Sequence, residues 1–199
     1  MINMKRRIRE LFKWMLYPIS IKIMSGPLVG YWWIPSSGSN FIRGKYEPEK
    51  TSAICKIVRR GDVVLDIGAH VGYFSILMSK LVADSGCVYS FEPRRINLVF
   101  LKRHIRLNKC SNISVFEKAV GGYVGEALLE TRTGTGTGKI SQTGNIKVGI
   151  ISIDALYSQN PDLRRPTFMK IDVEGGELEV LKGAASTIHE HKPRIILAT

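Results

Sequence analysis

Val63-Val64-Leu65-Asp66-Ile67 is a short, continuous apolar run that passes without a linker into Gly68-Ala69-His70-Val71-Gly72. Few architectures accommodate that join. An apolar run of this length bounded by turn residues reads as a strand buried on both faces, the habit of parallel sheets covered by helices. Gly68 and Gly72 remove side chains where backbone approaches a ligand. The amino end of the helix that follows offers free N–H donors to a carboxylate or phosphate. The spacing is G-x-x-x-G, not the G-x-G-x-x-G of dinucleotide binders.

The chain beyond residue 46 repeats this alternation. Pro48 opens a helix to about Val58, and a second helix runs from about Gly72 to Val82. Further strands are expected at 87–91, 113–116, 168–172 and 194–197. Pro93 is expected to start a helix carrying Leu98, Leu101 and Ile105, and a last helix carries Leu178, Leu181, Ala185 and Ile188. This order predicts one α/β domain over 46–199, a mainly parallel sheet with helices on both faces. Residues 121–153 interrupt it. There, 127–131 and 147–151 read as a hairpin flanking a stretch rich in Gly and Thr, expected to be a mobile loop. Lys139 does not make it a phosphate loop, since Thr133 stands at the first glycine position and Ile140 replaces the required Ser or Thr.

Residues 1–45 read as a basic amphipathic helix and an irregular connection, with a short strand at 29–34. Ile8, Leu11, Phe12, Met15 and Leu16 share one helix face, opposite Arg6, Arg9 and Lys13. Through Met24 the segment carries six Lys or Arg and one Glu. Two readings stay open: a helix packed on its own domain, and a helix lying on an anionic membrane surface through residues 4–24. Lys13, Pro18 and Lys22 interrupt the nearest approach to a spanning segment, and Lys13 also breaks a secretory pattern. The expected compartment is the cytoplasm, either free or, on the second reading, peripheral at the inner face of a membrane. Cys55, Cys87 and Cys110 are far apart and odd in number, which fits buried thiols in a reducing compartment and neither a disulfide framework nor a zinc site.

The net charge of +12 excludes an acidic chain and admits nucleic acid, an anionic membrane or an acidic substrate as partner. Glu92 ends the second strand, 24 residues after Gly68, where an acid can accept both hydroxyls of a ribose. With the two glycines it favours an adenosine ligand over a packing glycine pair and a solvated turn acid. The second cluster is Lys170-Ile171-Asp172-Val173-Glu174-Gly175-Gly176-Glu177. It ends a strand expected beside the first, where ligands of such sheets bind. The competing account makes Asp172 a helix cap and gives Glu174 and Glu177 to the helix dipole.

The stretch from Gly61 to Ser75, then Phe91-Glu92-Pro93, then Lys170 to Ala184 resemble the FkbM family of methyltransferases, over about three quarters of the chain from Gly44 onward. The resemblance implies a Rossmann-like fold, S-adenosylmethionine as cofactor, and O-methylation of a hydroxyl on a sugar, glycolipid or secondary metabolite; no metal-ligating residue is assigned. It places Asp66, Gly68 and Gly72 along the methionine end of the cofactor, Glu92 on the ribose, and Ala119 and Val120 beside the adenine, with Ala69 and His70 also among the cofactor-binding residues. Asp172 or Glu174 is the candidate to orient the acceptor hydroxyl or take its proton, and Lys170 the candidate to hold an anionic substrate. Two departures stand out. His70 replaces the family's usual Asn, and the chain ends after strand five where the full fold has two further strands. That leaves an open sheet edge, so a fragment, a dimer or a covering partner is expected. Two other readings remain: an RNA-directed methyltransferase, opposed by the Asp-Val-Glu-Gly ending of the fourth strand and the lack of an RNA-binding appendage, and a truncated, inactive cofactor-binding module at a membrane.

Overall fold

The structure is a computed structural model that describes residues 19–131, 138–140 and 143–198. The expected helix over residues 8–16 and most of the Gly/Thr-rich stretch lie outside them. In chain order the elements are β1 (Ile21–Lys22), β2 (Trp32–Trp33), α1 (Ser39–Ile42), α2 (Pro48–Ile57), β3 (Val63–Ile67), α3 (Tyr73–Val82), β4 (Cys87–Phe91), α4 (Arg95–Leu107), β5 (Ile113–Phe116) and β6 (Ala119–Val120). They continue with β7 (Gly125–Thr131), β8 (Gly138–Ile140), β9 (Ile146–Ile151), α5 (Ile153–Gln159), β10 (Phe168–Ile171), α6 (Glu177–Lys182), α7 (Ala185–His191) and β11 (Arg194–Leu197).

The main sheet is parallel, in the order β11-β10-β3-β4-β5. All five residues of β3 are buried, because helices cover both faces. One face packs Val64, Val88 and Phe168 against α3, and the other packs Leu65, Ile67, Met169 and Ile171 against α5 and α6. The chain moves outward from β3 to β5, then returns to lay β10 on the other side of β3. The strand order therefore reverses between β3 and β10, which is where ligands of this sheet class bind. No described strand pairs with the outer side of β11. No helix among the described residues is long and apolar enough to cross a membrane.

Several expectations change. The helix expected to open at Pro93 begins at Arg95, because Glu92 Oε1 accepts the Arg94 N–H at 2.9 Å and holds the chain in a turn. The last helix is two helices, α6 and α7. Gly183 packs so tightly on the Gly121 carbonyl that a Cβ would lie 2.0 Å from its oxygen, and Asp154 caps α7 through the Ser186 and Thr187 amides. Leu178 is consequently exposed rather than core-facing. The hairpin of β7 and β9 forms as expected but within a four-stranded sheet, with β6 parallel to β9 and β8 antiparallel to β7. The connection over 25–45 supplies β2, which pairs with β1 in a hairpin, and α1, and it buries Trp33, Ile34, Phe41 and Ile42 in the same core as α3. All three cysteines are free and half-buried, not fully buried.

Candidate functional site

Beyond the carboxyl ends of β3, β4 and β10 lies a groove lined by Gly68, His70, Phe91, Glu92, Asn97, Lys118, Ala119, Val120, Asp172, Val173 and Glu174. Tyr46 and Glu47, from the segment before α2, close it on one side. Three parallel strand ends, the β6 segment and the stretch before α2 thus converge on a single cleft.

The turn after β3 is shaped by close approach. Gly68 has φ +80°, and a Cβ there would sit 1.9 Å from the Asp172 carbonyl oxygen. His70 follows at φ +52°, a left-handed conformation in which His and Asn are enriched. That conformation is one a His side chain tolerates. It aims the His70 N–H at Glu92 Oε2, 2.8 Å away. Glu92 is 4% exposed. Its other oxygen accepts from the Arg94 N–H and from the Asn97 side chain at 3.1 Å. Burial pushes the Glu92 carboxyl above its ordinary value, against the opposing pull of the Arg94, Asn97 and His70 donors.

Beneath the groove runs a buried polar line across three paired strands, since Lys170 registers with Asp66 and Asp66 with Ser90. The Lys170 ammonium donates to Asp66 Oδ1 at 2.9 Å and to the Gly68 carbonyl at 3.0 Å. Ser75 donates to Asp66 Oδ2 at 2.6 Å, and Ser90 donates to Ser75. Asp66 is fully buried and Lys170 is 1% exposed. Lys170 therefore does not reach out to an anionic substrate; it supports the floor. Asp66, Ala69 and Gly72 likewise stand behind the groove, not along it. The space that Gly72 leaves is filled by Leu101 of α4, whose Cδ1 would meet a Cβ at 2.5 Å, so this glycine serves helix packing.

Asp172 and Glu174 do face the groove. Asp172 Oδ2 accepts from Lys50 at 2.7 Å and lies 3.7 Å from the Lys170 ammonium. Burial would raise the Asp172 carboxyl, but Lys170 and Lys50 outweigh it and hold it below the ordinary carboxylate range. It is a fixed anion, better suited to orienting a hydroxyl than to storing a proton. Glu174 is exposed at the rim with φ +53°. Glu177 is turned inward to the loop, accepting from the Gly175 and Val173 amides. It ties the turn and does not line the groove.

Lys50, Tyr46, Glu47 and Asn97 were not foreseen. Lys50 lies 122 residues from Asp172, so no local spacing announces their pairing. Asn97 was more accessible, being one turn into the helix that follows Glu92. No group of three or more His, Cys, Asp or Glu able to hold a metal ion occurs among the described residues.

A parallel sheet with a strand-order reversal and a carboxylate-lined groove at that point defines a Rossmann-like domain of the kind that binds a nucleoside-containing cofactor. The chain belongs to the Methyltransferase FkbM domain family, which matches residues 66–198. Family membership supports S-adenosylmethionine as the cofactor. The hexuronic acid methyltransferase AglP of Haloferax volcanii is 27% identical over 129 residues, which is 64% of this chain and 52% of that protein. Methyltransferase 1 of Beauveria bassiana is 22% identical over 143 residues, 60% of this chain and 57% of that protein. The chain thus spans just over half the length of these relatives. The solved structure of methyltransferase FkbM from Methylobacillus flagellatus superposes with a TM-score of 0.53 at 24% identity, over 82% of this chain and 42% of that one. A precorrin-6y C5,15-methyltransferase from Geobacter metallireducens gives 0.50 at 17% identity, over 80% and 64%. These two likenesses concern the fold alone.

Proposed function

We propose that this domain binds S-adenosylmethionine in the groove and methylates a hydroxyl, with an acidic sugar as the leading acceptor class. One observation carries the reading: Glu92 and Asp172, carboxylates from different strand ends, line the same cleft. The residues present fit the cofactor. Buried Glu92 suits ribose hydroxyls, the apolar surfaces of Phe91, Ala119 and Val120 suit a flat base, and Gly68 packs its backbone directly on the Asp172 carbonyl, which holds the two turns together at the groove. S-adenosylmethionine, when bound, supplies an electrophilic methyl group on a sulfonium.

The protein's own work is positional, since in-line displacement needs donor and acceptor aligned at near-attack distance. Lys170 and Lys50 keep Asp172 ionised and fixed, and Asp172 orients the acceptor hydroxyl. Glu174, on the same turn and open to solvent, is the candidate to carry the proton away. The preference for an acidic sugar rests on the relation to the hexuronic acid methyltransferase and on the net charge of +12.

Two measurements test this. Calorimetric titration should show binding of S-adenosylhomocysteine and none of NAD. Transfer of labelled methyl from S-adenosylmethionine should then favour glycans containing uronic acid over neutral glycans. NAD binding without S-adenosylhomocysteine binding refutes the cofactor assignment, and labelling of RNA in place of glycans refutes the acceptor class.

A further inference from the structure

Two stretches of this chain contain no Asp or Glu. Residues 11–46 carry Lys13, Lys22, Arg43 and Lys45, and residues 93–116 carry Arg94, Arg95, Lys102, Arg103, Arg106 and Lys109. They are far apart in sequence, yet the fold joins them. The Trp32 N–H donates to Asn108 Oδ1 at 2.7 Å, and the Asn108 amide returns a bond to the Trp32 carbonyl at 2.9 Å. The Ile34 N–H donates to His104 Nε2 at 3.1 Å, and Trp33 stacks on the His104 ring at 3.7 Å. The β1–β2 hairpin is thereby fastened beside the end of α4.

The hairpin has two unlike faces. Ile23 and Trp33 point inward and are buried. Lys22 pairs with Trp32 across the ladder, its ammonium 5.3 Å from the indole ring, and the two share the outward face. Met24 is 74% exposed, Val29 at the hairpin's turn 57%, and Trp32 41%. Lys22, Arg43, Lys45, Arg106 and Lys109 are all exposed.

We infer that this hairpin and the neighbouring end of α4 form a docking surface for an anionic lipid bilayer, with Met24, Val29 and Trp32 entering the interface and the surrounding cations facing acidic headgroups. Charge complementarity selects the partner: cations within a Debye length of an anionic leaflet each contribute attraction, and no carboxylate in either stretch opposes it. The apolar side chains decide between polyanions. Nucleic acid is held by phosphate contacts and base stacking, for which exposed Met24 and Val29 have no use, whereas interfacial binding scales with buried apolar area. An indole beside a lysine suits the headgroup region, where Trp is enriched.

The test is flotation of the full chain with vesicles of phosphatidylcholine alone and of phosphatidylcholine mixed with phosphatidylglycerol, at low and high salt. The chain should float with the mixed vesicles, less at high salt, and not with the neutral ones. Two variants, Met24→Ser/Val29→Ser/Trp32→Ser and Lys22→Glu/Lys109→Glu, should each lower partitioning by about tenfold or more, with melting temperatures checked alongside. Unchanged flotation of either variant overturns the inference by placing any lipid binding elsewhere, for instance in residues 1–18. Self-association without lipid that the serine variant abolishes would make the patch an interface between copies. Tight RNA binding that only the charge variant weakens, with no flotation, would make it a nucleic-acid surface.

Discussion

Replacing Lys170 with Met should destabilise the domain far more than an exposed lysine would. The Lys170 ammonium lies 2.9 Å from Asp66, and Asp66 is fully buried. Removing the cation leaves an uncompensated carboxylate in the interior, which costs about 3–5 kcal/mol. For a domain of this size each kcal/mol moves the melting temperature by about 2–4 °C, so the expected fall is about 6–20 °C. The Gly68 carbonyl also loses its donor, so the turn under the groove loosens with the core. The double variant Lys170→Met/Asp66→Asn removes the charge that the single variant strands, while Asn keeps an acceptor for Ser75. It should recover at least half of the loss. Calorimetry and urea denaturation on wild type and the two variants decide the matter. A loss below about 1 kcal/mol for Lys170→Met, or a double variant weaker than the single, would refute the view that this pair is a buried, mutually dependent unit.

Three further outcomes are expected. Burial pushes the His104 imidazole from 6.5 to about 4, so the fold holds it neutral; this stability is present above pH 6.5 and declines by about 3 kcal/mol as pH falls toward 4, a decline that urea titrations of His104→Gln should not show. The Glu92 carboxyl is raised from 4.5, so the folded state binds the extra proton and stability falls as pH rises above 4.5; Glu92→Gln should flatten that slope while lowering affinity for S-adenosylhomocysteine by about tenfold or more, and a variant with unchanged affinity would reduce Glu92 to a turn residue. Asp172 is held below 3.8, so its contribution is present above that value and is lost as pH falls through its lowered pKa; Asp172→Asn should keep the fold, lower methyl transfer about 10²-fold and change cofactor affinity less, whereas early melting with normal turnover would make the turn merely structural.

The extent to which the site was legible in advance follows from the range of the interactions. Gly68, His70, Glu92, Asp172 and Glu174 were identifiable because each lies within a residue or three of a strand end, and a strand buried on both faces announces itself by its mainly apolar run. Asp66 and Lys170 carried the right chemistry for the wrong place. Their positions within the strands said only that they alternate with apolar neighbours; the register of β10 on β3 brought the two side chains together beneath the groove.

The sequence by itself determined the parallel sheet, its strands, the glycine turn and the family, since these rest on periodicity and on local backbone demands that a short window contains. The division of the last helix came from Gly183 meeting Gly121, and the anchoring of Asp172 came from Lys50, both contacts between distant segments. The basic face with its exposed hairpin exists only because Trp32 and Ile34 bond to the end of α4. Such pairings are chosen by packing and burial over the whole chain, where a contact's worth depends on what surrounds it, and tertiary structure alone decides them.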